Sequence, residues 1–324
     1  MNMSRSLWYQ APNAAALRSA PLAAPRADEA VVRTLWSALS RGTERLVFEG
    51  RVPASEHARM RAPLQDGDFP FPVKYGYCAA GVIEAGPVER VGESVFCLHP
   101  HQDRFLAPLA MLRSIPANVP PRRAPLAANM ETALNGLWDS GAGPGDRIVV
   151  VGAGVVGLLV AFLAAGLPGA EVVVVDREPA RAAVAARFGA AFVTAEAYAP
   201  QGDADVVFHA SASPAGLAAA IASAGPEARI IELSWYGEGV VAAPLGGAFH
   251  VNRLRLVSSQ VGQVAPSRRP RWSYARRLDK ALQLLADPRL DALITEEIAF
   301  EEAPAALPHI LAPDAPGLTT LIRY

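Results

Sequence analysis

Three glycines and one aspartate carry the clearest chemical signal in this sequence. Gly152, Gly154 and Gly157 form a GxGxxG motif directly after a run of β-branched residues. In a strand–turn–helix unit such glycines allow a tight turn, close approach of a pyrophosphate and close packing of the helix on the strand. The helix then offers free N–H groups to the phosphates. A second β-branched run ends in Asp176, and the spacing predicts dinucleotide binding over residues 145–176.

Asp176 also predicts which cofactor the motif prefers. Its carboxylate would accept hydrogen bonds from the adenosine ribose and repel a 2′-phosphate, which favours NAD over NADP. Arg177 follows it directly and is the one residue that would soften this preference. Val155 and Val156 complete the motif, so we count them with its glycines as cofactor-binding residues.

Length and composition exclude several classes of protein. A chain of 324 residues, 51% of them hydrophobic, is long enough for two domains and is not disordered. The formal net charge is −1, so the chain lacks the excess of positive charge that is typical of nucleic-acid-binding proteins. We therefore expect no nucleic-acid partner. Cys78 and Cys97 are the only cysteines, which argues against a disulfide scaffold or a four-cysteine metal site and fits a reducing cytoplasm.

Two further features bear on where the protein works. The N-terminus has no apolar core of signal-peptide length, so we expect no export signal. The stretch 148–175 carries one charge and has the hydropathy of a membrane helix, but Leu167-Pro168-Gly169 interrupts it. We therefore expect a cytoplasmic protein without a membrane partner.

Periodicity divides the chain into three parts. Residues 1–118 contain short strands, of which 29–39 is the clearest, and no evident helix. Residues 119–265 alternate helices and strands, which predicts an α/β fold with a doubly wound parallel (Rossmann) sheet. Helices are expected over 126–140, 179–188 and 214–224, and strands over 148–151, 171–175, 192–193, 205–210, 229–233 and 254–258. Residues 266–324 begin with an amphipathic helix over 273–285 and then return to short strands around 301–311.

Polar residues follow three of the predicted strands of this sheet. They are His209 and Ser211, then Ser234, then Ser259. Because the carboxyl ends of parallel strands face the ligand crevice, we expect the first two to line the cofactor and the others to reach its nicotinamide end. Trp235 and Tyr236 would either wall a flat substrate or serve as core or interface aromatics.

His99 and His101 invite a metal interpretation because they are close in sequence. Cys97 is the only thiol or carboxylate at ligand spacing. We therefore favour ordinary loop histidines.

An all-β N-terminal part, an inserted dinucleotide sheet and a return of strands resemble the medium-chain dehydrogenase/reductase superfamily, whose type members are zinc alcohol dehydrogenases. Gly42-Thr43-Glu44 resembles that family's Gly-Thr-Asp element, and Gly76-Tyr77-Cys78 lies where the family has Gly-His-Glu. Arg181 matches a basic residue that flanks the adenosine ribose. Ser40–Glu44 with Gly76-Tyr77 is also similar, over a short stretch, to bacteriochlorophyllide hydroxyethyl dehydrogenases.

The resemblance implies a GroES-like catalytic domain over 1–118 and homodimers that join their sheets edge to edge at residues 254–258. It also implies a zinc site, but the residues depart from it. The places of the three zinc ligands hold Arg41, Tyr77 and about Ala128, none of which is a normal zinc ligand. The cysteine-rich loop of the family's structural zinc is missing. We therefore predict no zinc.

Without a metal, another group must move the alcohol proton. Tyr77 is our first choice, with Arg41 or Lys74 lowering its pKa, although the ring would equally well just fill vacated space. Glu131 is a second candidate, or a carboxylate favoured at a helix start. Two positions complete the catalytic set by resemblance. Thr132 lies where the family places a threonine against the nicotinamide, and Glu44 takes the place of the Gly-Thr-Asp acid.

The sequence thus predicts a zinc-independent, NAD-preferring oxidoreductase that interconverts an alcohol and a carbonyl on a small-molecule substrate. One alternative is an NADPH-dependent quinone or enoyl reductase, which Asp176 disfavours. The other is a protein that binds NAD(H) as a sensor or partner without turnover.

Overall fold

The computed structural model describes residues 3–324, which form two compact units. The first contains the described residues up to Ala128 together with Leu278–Tyr324, and the second contains Asn129–Arg277. Both divisions fall inside helices. The sequence-based boundaries lie at 118/119 and 265/266.

The first unit is built mainly from short strands, as predicted. Up to residue 126 its elements are β1 (Met3–Ala11), β2 (Ala14–Pro21), β3 (Glu29–Leu39), α1 (Thr43–Phe48), β4 (Asp66–Gly67), β5 (Val73–Lys74), β6 (Ala79–Ala85), β7 (Ser94–Cys97), β8 (Arg104–Pro108) and β9 (Arg113–Ser114). The expectation of no helix here was wrong because of α1. That helix has six residues, too few for a repeating pattern, and its side chains at Leu46, Val47 and Phe48 are buried consecutively.

The second unit alternates helices and strands. Its elements are α2 (Ala127–Ser140, which begins at the unit boundary), β10 (Arg147–Val151), α3 (Val155–Ala164), β11 (Glu171–Asp176), α4 (Ala182–Arg187), β12 (Ala191–Thr194), β13 (Ala204–His209), α5 (Pro214–Ser223), β14 (Ala224–Glu232), β15 (Arg255–Ser258) and α6 (Tyr274–Leu284, which crosses the second boundary). All six strands pair in parallel in the order β12-β11-β10-β13-β14-β15. This confirms the doubly wound sheet.

Strand order determines where a ligand binds this sheet. From β10 the chain first builds outward through β11 and β12, then returns to the other side of β10 for β13. Crevices at such a reversal, outside the carboxyl ends of the strands, are where open α/β sheets bind ligands. Buried aliphatic side chains beneath it, including Val149, Val207 and Ile230, pack with Leu217 and Ile221 of α5.

The C-terminal residues return to the first unit as β16 (Ile294–Ala299), α7 (Ala303–Ile310) and β17 (Thr319–Arg323). The predicted strands around 301–311 were wrong, because that segment is helical. Glu302 accepts a hydrogen bond from the Ala299 N–H at 3.0 Å, a contact that starts helices, and Leu307 and Ile310 are buried one turn apart.

Two sheets form the first unit. One has the order β2-β1-β5-β4, and the other β16-β17-β3-β6-β7-β9, with β8 pairing with β3. β17 runs antiparallel to β3, so the C-terminal segment joins the larger of the two sheets. Among the described residues, no helix is both long enough and apolar enough to cross a membrane.

The glycine turn generates a stability prediction. A Cβ at Gly157 would lie 1.9 Å from the carbonyl oxygen of Gly152, whereas a Cβ at Gly154 would have no atom within 4 Å. We expect Gly157→Ala to lower the free energy of unfolding by about 3 kcal/mol, because α3 must move away from β10. The matched Gly154→Ala should stay within about 1 kcal/mol of the unchanged protein. Denaturant unfolding measures both, and equal values for the two variants would contradict this account.

Candidate functional site

The turn between β10 and α3 forms one end of the candidate cofactor site. Gly152 has φ +109°, and a Cβ there would lie 2.7 Å from the backbone nitrogen of Ser211. Gly154 precedes α3 and gives the helix no side-chain cap. The first N–H groups of α3 therefore face open space around Gly154, which suits a phosphate.

Asp176 connects the end of β11 to this turn. One carboxylate oxygen accepts the Ala153 N–H at 2.5 Å, and the other accepts the Glu178 N–H at 2.9 Å. The half-buried carboxylate is thus held beside the glycines, where its remaining lone pairs suit ribose hydroxyls. Arg177 is exposed and Arg181 is half-buried.

On the other side of β10, the ends of β13 and β14 bring three polar side chains into line. His209 Nε2 lies 2.7 Å from the hydroxyl of Ser211, and His209 Nδ1 lies 2.7 Å from a carboxylate oxygen of Glu232. Burial opposes ionisation of Glu232, but hydrogen bonds and charge from His209 and Ser234 outweigh it, so its pKa is lowered. Glu232 is therefore a carboxylate at neutral pH.

Two neighbours complete this group. The Ser234 N–H donates to Glu232 at 2.8 Å, and the hydroxyl of Ser234 accepts the Ala212 N–H at 3.0 Å. The Tyr236 hydroxyl donates to Glu232 at 3.2 Å. Glu232 was missed in the sequence analysis, although a carboxylate directly after the buried Ile230 and Ile231 at a strand end is a usable signal. Ser259 instead donates to Asp139 of α2, at 2.6 Å.

The first unit contains a separate polar network around Glu44. This carboxylate has no solvent exposure, yet it accepts hydrogen bonds from the Tyr9 hydroxyl at 2.8 Å and from the Ser40 N–H at 2.8 Å. Nε2 of the equally buried His101 lies 2.9 Å away. Burying a carboxylate costs free energy unless it is paired and hydrogen-bonded, and these contacts meet that need.

The network continues past His101. Its Nδ1 lies 2.7 Å from the hydroxyl of Ser37, which in turn lies 2.9 Å from the hydroxyl of Tyr324 in the C-terminal segment. Gly76, with φ +116°, leaves room for the His101 ring, because a Cβ there would lie 2.8 Å from it. Glu44 and Gly76, which the family resemblance singles out, thus both serve one buried histidine.

The histidines of the 99–101 segment are not ordinary loop histidines. His99 is 4% exposed and stacks on Phe105 with ring centroids 3.8 Å apart. Burial lowers the pKa of His99 to about 3, which keeps it neutral.

Tyr77 is half-buried, and burial raises its pKa well above the ordinary tyrosine value. The predicted lowering of this pKa by a nearby cation was wrong. Arg41 donates to the carbonyls of Pro316 at 2.8 Å and Gly317 at 2.9 Å, and Lys74 donates to Gln102 at 3.1 Å. Both cations are thus engaged elsewhere in this unit.

Glu131 lies in α2 and forms a buried ion pair with Arg277 at 2.9 Å. Burial raises the pKa of Glu131, and the charge and hydrogen bond of Arg277 partly offset this rise. Arg277 also donates to Asn135 at 2.6 Å and to the carbonyl of Gln263 at 3.2 Å. The half-buried Thr132 follows Glu131 in α2.

The residues at the family's zinc positions do not fit that metal. Arg41 and Tyr77 lack normal zinc ligand atoms, and Ala128 is a buried alanine. Within residues 3–324, no three His, Cys, Asp or Glu side chains come together as a metal site.

Comparison with known proteins agrees with this fold. Residues 129–228 match the family model described as alanine dehydrogenase/PNT, C-terminal domain. D-guloside 3-dehydrogenase of Escherichia coli (strain K12) is 25% identical, over 93% of this chain and 94% of its own.

Solved structures resemble the whole chain. L-Idonate 5-dehydrogenase from Escherichia coli K-12 has a TM-score of 0.82 at 14% identity, covering 100% of this chain and 99% of its own. An alcohol dehydrogenase from Escherichia coli CFT073, complexed with NADH, has a TM-score of 0.79 at 18% identity and covers 100% of both chains. The predicted resemblance to medium-chain dehydrogenases is thus confirmed for the fold, a Rossmann sheet with a GroES-like domain.

The Glu44 network predicts unequal costs for two tyrosine substitutions. Tyr9→Phe removes a donor to a buried carboxylate, so we expect a loss of about 2 kcal/mol in the free energy of unfolding. Tyr324→Phe removes a contact between two neutral hydroxyls and should cost about 1 kcal/mol or less. Thermal and urea unfolding of both variants give the comparison. An equal or larger loss for Tyr324→Phe would contradict this ranking of the two contacts.

Proposed function

We propose that this protein is a zinc-independent, NAD-preferring oxidoreductase that interconverts a secondary alcohol and a ketone. The observation that carries the proposal is the uncapped start of α3 beside Gly154, with Asp176 held next to it by the Ala153 N–H. Such a turn fits a pyrophosphate and an adenosine ribose. A bound nicotinamide would supply or accept the hydride.

The substrate class we propose is a polyhydroxylated small molecule such as a sugar or sugar alcohol. Two of the similar proteins described above carry the names D-guloside 3-dehydrogenase and L-idonate 5-dehydrogenase. Both names denote dehydrogenation at a numbered carbon of a sugar derivative.

Tyr77 is the proposed acid–base residue. Its raised pKa keeps the phenol protonated at neutral pH, so it would donate a hydrogen bond to the substrate oxygen and a proton to the alkoxide formed on ketone reduction. Glu131 suits this role less well, because Arg277 would be left as an unpaired buried cation if the carboxylate became protonated. Glu44 is enclosed, and we assign it to positioning His101.

We also propose that the protein is a cytoplasmic homodimer joined through β15. Three of its four residues are exposed, including Leu256 at 40%. An exposed edge strand with an apolar side chain is suited to pairing with a second copy.

The cofactor preference is tested by Asp176→Asn, with Glu171→Gln as the matched control because it removes a charge at the opposite end of β11. We expect the ratio of NADPH to NADH affinity to rise about 10-fold in Asp176→Asn, since the repulsion of a 2′-phosphate is lost. Glu171→Gln should leave the ratio unchanged. Fluorescence titration measures both nucleotides. A preference for NADPH in the unchanged protein would favour quinone or enoyl reduction instead.

The chemistry is tested by Tyr77→Phe, with Tyr75→Phe as the control because the two rings are neighbours, 6.0 Å apart. On the best sugar or sugar alcohol found by screening, Tyr77→Phe should lower kcat about 100-fold or more while NADH still binds. Tyr75→Phe should stay within about 3-fold.

Metal analysis of the same active sample should find less than about 0.1 zinc per chain, since Arg41 and Tyr77 offer no normal zinc ligand. Stoichiometric zinc would contradict the zinc-free proposal. NADH binding with no turnover on any carbonyl would instead support the sensor alternative.

A further inference from the structure

Glu232, His209 and Ser211 form a hydrogen-bonded row of side chains. A residue that only lines the cofactor would not need the two partners behind it. Both outer distances are 2.7 Å, the histidine has no solvent exposure, and Ser211 at the end of the line is half-buried. A serine without partners would already supply a hydroxyl at this position. The buried His209 and the half-buried Glu232 behind it therefore need a separate explanation.

Hydrogen-bond directions supply that reason. Glu232 is a carboxylate and accepts only, so the proton of a neutral His209 lies on Nδ1, which faces Glu232. Nε2 is then bare and must accept, so the Ser211 hydroxyl donates to it. With its proton committed to His209, Ser211 presents only lone pairs to any other group.

The titratable groups around His209 are consistent with this assignment. Glu232 contacts it from β14, and the Tyr236 hydroxyl, beyond the end of β14, lies 3.3 Å from Nδ1 and 3.2 Å from Glu232. Tyr236 therefore adds a third donor to Glu232, besides His209 Nδ1 and the Ser234 N–H. A Cβ on Gly216 of α5 would lie 2.1 Å from the Ser211 oxygen, so this glycine leaves the hydroxyl its space.

Strand order indicates which half of a dinucleotide Ser211 would meet. Asp176 ends β11 on one side of β10, and Ser211 follows β13 on the other. A dinucleotide whose pyrophosphate lies at the turn after β10, and whose adenosine ribose lies at Asp176, extends its nicotinamide half toward β13 and β14.

We infer that Glu232 and His209 are positioning residues that fix Ser211 as a hydrogen-bond acceptor for the nicotinamide half of the cofactor. The inference rests on the proposed function. The donor on the cofactor would be a hydroxyl of the nicotinamide ribose or the carboxamide N–H₂.

The experiment uses the full-length protein and three ligands that shorten the cofactor stepwise: NADH, ADP-ribose and ADP. We expect Ser211→Ala to weaken NADH about 5-fold, as for loss of one hydrogen bond, and to leave ADP unchanged. An equal loss with ADP-ribose identifies the ribose as donor, and a loss with NADH alone identifies the carboxamide. Ser223→Ala is the matched control, since it removes a buried serine hydroxyl at the far end of α5.

A double-variant comparison separates positioning from simple support of the fold. NADH affinity should fall in Glu232→Gln while ADP affinity stays constant, because Nδ1 of His209 loses its carboxylate partner. The same change should have no further effect on NADH affinity in the Ser211→Ala background, because Glu232 acts only through the serine hydroxyl. Equal losses for all three ligands in Ser211→Ala, or no loss with any, would overturn the inference. Failure of ADP to bind the unchanged protein would instead overturn the proposed function.

Discussion

Close contact between α3 and β10 is the constraint on which the second unit depends. Gly157 lies against the carbonyl of Gly152, and Gly152 lies against the backbone that leaves β13. Any side chain at either position would separate helix, turn and neighbouring strand. The same packing sets the start of α3 beside Asp176 on one side and Ser211 on the other. The contacts of Gly157 with Gly152, and of Gly152 with the backbone after β13, therefore align both halves of the candidate cofactor site.

The first unit depends on a different interaction, the hydrogen bonding of a fully buried carboxylate. Glu44 is surrounded by a phenol, a backbone N–H and an imidazole, and the chain of contacts beyond His101 ends at Tyr324. Because β17 brings Tyr324 beside β3, the C-terminal segment contributes one side chain to this network.

Local sequence patterns determined much of the second unit but little of these networks. β3 was predicted with its observed bounds, and the parallel sheet followed from β-branched runs and glycines, which are local signals. The helix α1, the helical segment before β17 and the Glu44–His101 contact were missed. The two helices have six and eight residues, too few for a clear repeating pattern. Glu44 and His101 lie 57 positions apart in sequence, and only packing brings these two together. The pKa of Tyr77 was misjudged for the same reason, since burial outweighs charges that contact other groups.

The two polar networks share one arrangement of side chains. In each, a carboxylate fixes one nitrogen of a fully buried histidine, and the other nitrogen meets a serine hydroxyl: Glu44, His101 and Ser37 in one, Glu232, His209 and Ser211 in the other. They differ in what lies past the serine. Ser37 is fully buried, and its hydroxyl has a second hydrogen-bond partner inside the protein, the hydroxyl of Tyr324. Ser211 is half-buried beside the glycine turn. The same arrangement therefore stabilises the fold in one unit and leaves an acceptor available to a ligand in the other.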